Sequence, residues 1–292
     1  TQEGWSTSDG SGSAEYSVGQ SVSNVSLNLY PHWVLKNNTI AVKAVSAEFP
    51  YDAKPHAAEC SVEGEVPEGF SISSSSSPSV QNVSDGKKTA SCTLIIKDET
   101  GADVTESFTI ISSKGSISIK VAETTIGALT ILTDENGKRA VINGNYAGND
   151  ETEITSNIVV NSVTLDRTFN KNKISTLYVP FEIDANAIDG ASVYKFKTVV
   201  WNEDEDRWKF KVATTGTVKP NTPYVLLPSK EQVSFTINGT VTLNTETEGE
   251  EASNGQWDFV GTYSYISFVF DKDNPVYLFA NQERDGAKLG QF

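Results

Sequence analysis

The feature that most constrains this chain is a period-two alternation of apolar and polar residues, interrupted by turn signals about every 8–15 residues. Tyr194, Phe196 and Thr198 alternate with Lys195 and Lys197, and Trp208, Phe210 and Val212 alternate with Lys209 and Lys211. The acidic stretch from Asn202 to Arg207 lies between these two runs and predicts a hairpin. Val233, Phe235 and Ile237 lead to Asn238-Gly239, where a second turn is expected before Val241 and Leu243. Alternation places successive side chains on opposite faces, which suits a half-buried strand and cannot give a helix one apolar stripe. No stretch carries the helical period. The expectation is an all-β protein of two or more β-sandwich-like modules in tandem.

Composition agrees with that reading. Hydrophobic residues make up 37% of the chain and charged residues 21%. Ser, Thr, Val and Asn fill the remainder, and β-branched side chains fit a pleated surface better than a helix. The net charge is −15, so a nucleic-acid partner is not expected, because phosphate binding needs clustered Lys and Arg. No run of apolar residues is long enough to span a membrane as a helix. The chain contains no Met and starts at Thr1, which leads us to expect either a processed chain that has lost a secretion signal or a piece cut from a longer one.

Along the sequence, residues 1–20 are Ser- and Gly-rich and read as a flexible or lead-in strand, with Trp5 and Tyr16 the main apolar contributions. Residues 21–122 form a β module, with Val25, Leu27 and Leu29 alternating, then Ile40, Val42 and Ala44. Its serine-rich part, between Gly69 and Ser84, reads as a long loop. Residues 123–157 read as a connecting β segment, in which Asn136-Gly137 is a strong tight-turn signal. Residues 158–292 read as a C-terminal antiparallel sandwich. Cys60 and Cys92 sit in alternating segments. Either they pair across neighbouring strands, as an oxidising compartment would allow, or they are two buried thiols. Without CxxC spacing, and with only His32 and His56 to assist, a metal or redox site is the poorest reading of them.

Two stretches resemble known families. Phe49 to Ala57 (FPYDAKPHA), Gly101 to Ile110 (GADVTESFTI) and the strand ending at Ile119 resemble the YDG or MBG repeat of large bacterial adhesins. Ala53 stands where that family usually has Gly. The resemblance implies a small spacer module, immunoglobulin-like or β-grasp-like. Val163 to Asp184, followed by ASVYKFK, KPNTPYVLLP and WDFVGTY, resembles a C-terminal domain of secreted surface proteins from gut and rumen anaerobes. The shared pattern is a strand ending in Arg, a Ser-Thr-hydrophobic strand ending Pro-Phe, an Asn-Thr-Pro-Tyr hairpin entry, and a strand containing Trp-x-Phe-x-Gly-Thr-Tyr. That resemblance implies secretion and a surface location, and no chemistry. In related chains a further strand follows the region that here ends at Phe292.

Candidate chemistry is thin. There is no GxSxG, and both histidines fall in the first 60 residues, so a nucleophilic triad has poor material. Paired carboxylates for glycoside hydrolysis would have to come from turns and charge runs that read as solvated surface. Asp271, Asp273 and Asn274, and separately Asn202, Asp204 and Asp206, offer alternating oxygen ligands. Both lack the Gly and distal Glu of an EF-hand loop. The Asn-x-Ser/Thr sequons at Asn24, Asn37, Asn82 and Asn238 read as chance in a chain this rich in Asn, Ser and Thr. The aromatics are the richer set: Trp201, Trp208 and Tyr263 as a flat carbohydrate-stacking platform, with Trp33, Trp257 and Tyr265 as further members, or else, for most of them, core and sheet-edge packing, with Trp201 the one least expected to be buried. The sequence therefore leads to a non-enzymatic extracellular bacterial surface protein, either a structural or adhesive spacer or a fibre-forming subunit. A carbohydrate-binding adhesin is the alternative. No cofactor is expected. The expected partners are other copies of the chain or other surface proteins, through strand addition, and glycans.

Overall fold

The computed structural model describes residues 2–23, 26–34, 38–146, 148–245, 252–262, 272–273 and 275–277. The protein is all-β. Among the described residues the only helical pieces are single 3-10 turns at Val83–Asp85, Thr105–Ser107 and Ala185–Ala187. No helix there is long and apolar enough to cross a membrane. The chain divides into two compact units, residues 1–49 with 53–120, and residues 50–52 with 121–292.

Unit 1 opens with a three-stranded sheet in which β1 (Gln2–Ser6) lies between β2 (Tyr16–Ser17) and β3 (Tyr30–Trp33). The lead-in strand is thus paired on both edges by its own chain. A Cβ at Gly4 would sit 2.2 Å from the Tyr16 carbonyl oxygen, so only glycine lets β1 and β2 approach this closely. The rest of the unit is a sandwich. One sheet has β4 (Thr39–Ala44) at its centre, parallel to β9 (Thr109–Ser113) and antiparallel to β6 (Cys60–Glu63). The other runs β5 (Ala47–Pro50), β10 (Gly115–Lys120), β8 (Lys88–Lys97) and β7 (Ser71–Ser77). Alternation points Ile40, Val42 and Ala44 from β4, and Ala90, Leu94 and Ile96 from β8, into a common core with Phe108, Ile117 and Ile119.

Two sequence expectations change here. The serine run is strand β7, paired residue by residue with β8 from Ser71↔Lys97 to Ser77↔Ser91. Serine is small and indifferent to which face it occupies. The strongly amphipathic β8 therefore recruits it as an edge strand, and Ser76 Oγ donates to the Ala58 carbonyl. Cys60 and Cys92 are bonded to each other, with Cα atoms 5.9 Å apart. The bridge joins β6 of one sheet to β8 of the other rather than neighbouring strands of one sheet. Ala53 takes a left-handed backbone, φ 62°, a conformation that costs a residue with a Cβ more than it costs Gly.

The Gly-Ala-Asp-Val-Thr stretch, Gly101 to Thr105, has a local structural role. The Asp98 side chain accepts from the Thr100 hydroxyl at 2.6 Å and from the Thr100 and Ala102 N–H groups. Asp103 does the same for Thr105, whose hydroxyl oxygen accepts the Ile96 N–H. Asp98 and Asp103 thus satisfy backbone groups beyond the end of β8, and Thr105 one just inside that end, at Ile96.

Unit 2 is a second, larger sandwich. Its first sheet runs β11 (Ala122–Ile126), β12 (Leu129–Asp134), β13 (Gly137–Asn143), β14 (Ile158–Thr168) and β21 (Gln232–Leu243). The stretch from 123 to 157, expected as a connector, supplies most of β11 and all of β12 and β13, three of this sheet's five strands. Asp134, Glu135, Asn136 and Gly137 form the predicted hairpin, braced by an Arg139–Asp134 ion pair at 2.6 Å. β13 and β14 are parallel, so the sandwich is not wholly antiparallel. The crossover from 144 to 157 has the dozen or more residues that such a connection needs.

The second sheet runs β15 (Ser175–Leu177), β20 (Tyr224–Pro228), β17 (Ala191–Asn202) and β18 (Arg207–Thr214). Two small ribbons complete the unit, β16 (Ile183–Asp184) with β19 (Thr217–Val218), and β22 (Ala252–Ser253) with β23 (Asp258–Phe259). Leu129, Ile131, Val160, Val163, Leu165, Phe235 and Leu243 from the first sheet pack against Leu177, Val193, Tyr224 and Leu226 from the second, with Phe181 enclosed between.

Asn238-Gly239 does not turn the chain. β21 continues through it, and the register against β14 slips by one residue between Val160 and Ser162. Gly239 takes φ 106°, and the resulting bulge lets Val160 and Val163, three residues apart, both face the core. Burial of both valines outweighs the local hairpin preference.

The Asn-Thr-Pro-Tyr entry is a buried turn. Asn221 takes a left-handed backbone, φ 49°, and donates to the Thr245 carbonyl at 2.6 Å. The Tyr224 hydroxyl accepts the Lys219 N–H at 3.0 Å.

Candidate functional site

The hairpin of β17 and β18 carries the most unusual surface of the molecule. Trp201 and Trp208 are directly opposed across it, and residues paired this way project from the same face. The pleat adds Val199 and Phe210 to that face, and a bulge between Phe196 and Thr198 rotates Phe196 onto it as well. Phe196, Phe210 and Phe259 form a triangle of rings with centroids 5.0–5.7 Å apart. That triangle is the anchored end of the patch, with Phe196 buried.

Towards the hairpin tip the rings continue outwards. Trp201 meets Trp208 at 5.3 Å, Trp208 meets Trp257 at 5.5 Å, and Trp257 meets Tyr277 at 5.6 Å. Trp201, Trp208 and Tyr277 remain 46%, 43% and 45% exposed. Trp257 is set by a tight turn: Asn254 accepts its N–H at 2.8 Å and donates to the Lys197 carbonyl on β17. This ties the β22–β23 ribbon to the hairpin.

The geometry revises the expected flat platform. The planes of Trp201 and Trp208 meet at 71°, and those of Trp208 and Trp257 at 67°. Edge-to-face contact is the arrangement that ring quadrupoles favour. It yields a stepped ridge in which faces and edges alternate, rather than one plane. Tyr263, Tyr265, Asp271, Asn274, Val25, Asn24 and Asn37 lie outside the described residues. Trp33 belongs to unit 1, where it is 66% exposed at the end of β3. Phe196 and Phe210 follow from the alternation of the hairpin, whereas the contacts of Phe259 and Tyr277 with it close over long separations with no local motif.

The acidic turn has its own occupation. Asn202 accepts the Asp204 N–H at 3.2 Å, and Glu205 pairs with both Arg207 and Lys209. These partners, with the Lys209 hydrogen bond the largest influence, hold the Glu205 carboxyl below its ordinary pKa. Among the described residues no group of three or more His, Cys, Asp and Glu is placed to hold a metal ion. His56 stacks on Phe49 at 4.4 Å and exchanges backbone hydrogen bonds with Val80, a packing role. His32 Nε2 lies 3.3 Å from Glu3, across the pairing of β1 with β3.

No protein-family model matches the sequence, and no curated protein matches it.

Proposed function

We propose that this chain is an extracellular part of a bacterial surface protein that works by binding, with unit 1 as a cross-linked spacer and the aromatic ridge of unit 2 as its contact surface for carbohydrate. The observation that carries the reading is the ridge itself. Two opposed tryptophans keep nearly half their surface in water while they pack edge-to-face on each other, and Trp208 also on Trp257. Exposed, contiguous apolar surface of this kind marks interaction sites, and Trp and Tyr dominate contact energies because they present large rigid area at low entropic cost. Sugar rings offer an apolar C–H face with hydroxyls at the rim, which fits a ring face bordered by the polar turn 202–206. The Cys60–Cys92 bridge supports an oxidising, extracellular setting.

The test is a glycan array and affinity electrophoresis against plant and host polysaccharides, comparing the native chain with Trp201→Ala/Trp208→Ala. Binding to at least one glycan, lost in the double variant while melting is unchanged, is the expected result. Equal retardation of both proteins, or no glycan bound at all, would overturn the reading.

A further inference from the structure

Arg167 is a charge without a described counter-charge. It stands near the end of β14 with its guanidinium largely withdrawn from water, and that burial lowers its pKa from the ordinary arginine value. The chain has 38 acidic residues, yet among the described residues no carboxylate pairs with Arg167. Its partners are the Thr176 carbonyl oxygen at 2.6 Å, the Ser175 hydroxyl at 3.2 Å and the ring of Phe169, 4.6 Å below the guanidinium carbon. Arginine carries five N–H donors. One from each terminal nitrogen is used, which leaves the Nε–H and one N–H on each terminal nitrogen.

The same arginine lines a cavity of about 490 Å³ in unit 2, within the size range of small-molecule sites. Leu129, Ile142, Leu165 and Leu177 supply its apolar lining, and Tyr146 and Tyr178 contribute rings. Gly144 lets the arginine stem lie close against its backbone, since a Cβ there would sit 2.6 Å from the Arg167 Cβ. A positioned, desolvated guanidinium beside apolar walls is the arrangement that selects a carboxylate by a paired, charge-assisted contact.

We propose that this cavity binds a small organic carboxylate, with its oxygens on the uncommitted N–H groups of Arg167 and its body against the leucine and isoleucine lining. This inference is independent of the aromatic ridge. Benzoate, hexanoate and glucuronate are titrated into the native chain alongside benzamide, hexanamide and glucose, following the Arg167 Nε–H resonance and the heat of binding. At least one acid is expected to bind tenfold or more tightly than its neutral counterpart and to shift that resonance. Preference for benzoate or hexanoate identifies a free apolar acid, and preference for glucuronate identifies an acidic sugar. Arg167→Lys should lose most of the preference, because a point charge cannot make the paired contact. Gly144→Ala, which displaces the stem without altering charge, should weaken it and serves if the first variant fails to fold. Trp201→Ala/Trp208→Ala should leave it unchanged. Equal binding of acids and neutral counterparts, an unmoved Nε–H resonance, or full preference retained in Arg167→Lys would overturn the proposal.

Discussion

The two units reach stability by different means. Unit 1 buries mostly Ile, Val, Leu and Ala, with Phe108 its large enclosed aromatic, and fastens its sheets with Cys60–Cys92. Unit 2 has no disulfide among its described residues and encloses Phe169, Phe181, Tyr224 and Phe235 in one continuous core. A small sandwich with a thin core gains most from restricting its unfolded chain. A larger one can rely on burial. The difference also tracks their surfaces, since unit 2 can expose an aromatic ridge on the hairpin's other side without weakening its main core.

That contrast can be broken in graded steps, read by calorimetry with one transition assigned to each unit. Phe181→Ala removes a fully buried ring and should destabilise unit 2 by about 3–5 kcal/mol, leaving the unit 1 transition in place. Reduction of the bridge, or Cys60→Ala/Cys92→Ala, should cost unit 1 about 3–4 kcal/mol for a loop of this length and leave unit 2 unmoved. If both transitions fall together in either experiment, the units are not separate.

Acid should act on unit 1 first. Asp98 and Asp103 are held below the ordinary carboxylate range chiefly by the Thr100 and Thr105 hydroxyls, and Asp85 by the Asn82 and Gln81 N–H groups. A depressed folded-state pKa means that the unfolded chain takes up protons first. The contribution is therefore complete above the unfolded carboxylate pKa of about 4 and is lost as pH falls through the lower folded values. Unit 1 melting should decline from about pH 5 downwards more steeply than unit 2, where Glu205 is the one described carboxylate with a lowered value. Asp98→Asn should flatten that decline. The smallest expected effect is favourable: Ala53→Gly relieves the left-handed backbone and should stabilise unit 1 by about 1 kcal/mol.

Much of the architecture was legible in the chain because alternation reports which face is buried. β8, with Ala90, Cys92, Leu94 and Ile96 inward, and the Trp201–Trp208 hairpin could be read from spacing alone. What could not be read depended on partners. The serines of β7 carry no pattern of their own and become a strand only beside β8. Asn238-Gly239 has the residues of a hairpin turn, yet burial of Val160 and Val163 makes it a bulge. The parallel pairing of β13 with β14 leaves no local mark. At the candidate site the same rule holds, since Trp201 and Trp208 were found by register, whereas Trp257 and Tyr277 are brought to them by a separate ribbon and by distant chain. Arg167 was part of a recognised pattern, but its want of a carboxylate partner appears only in three dimensions.

The division of labour between the units is tested most directly by measuring glycan binding and melting together on two altered forms of the whole chain. The reduced protein should show a lowered unit 1 transition and keep its affinity, whereas Trp201→Ala/Trp208→Ala should keep both transitions and lose its affinity. Affinity lost on reduction with the tryptophans intact, or retained when both are removed, would contradict the assignment of contact to the ridge.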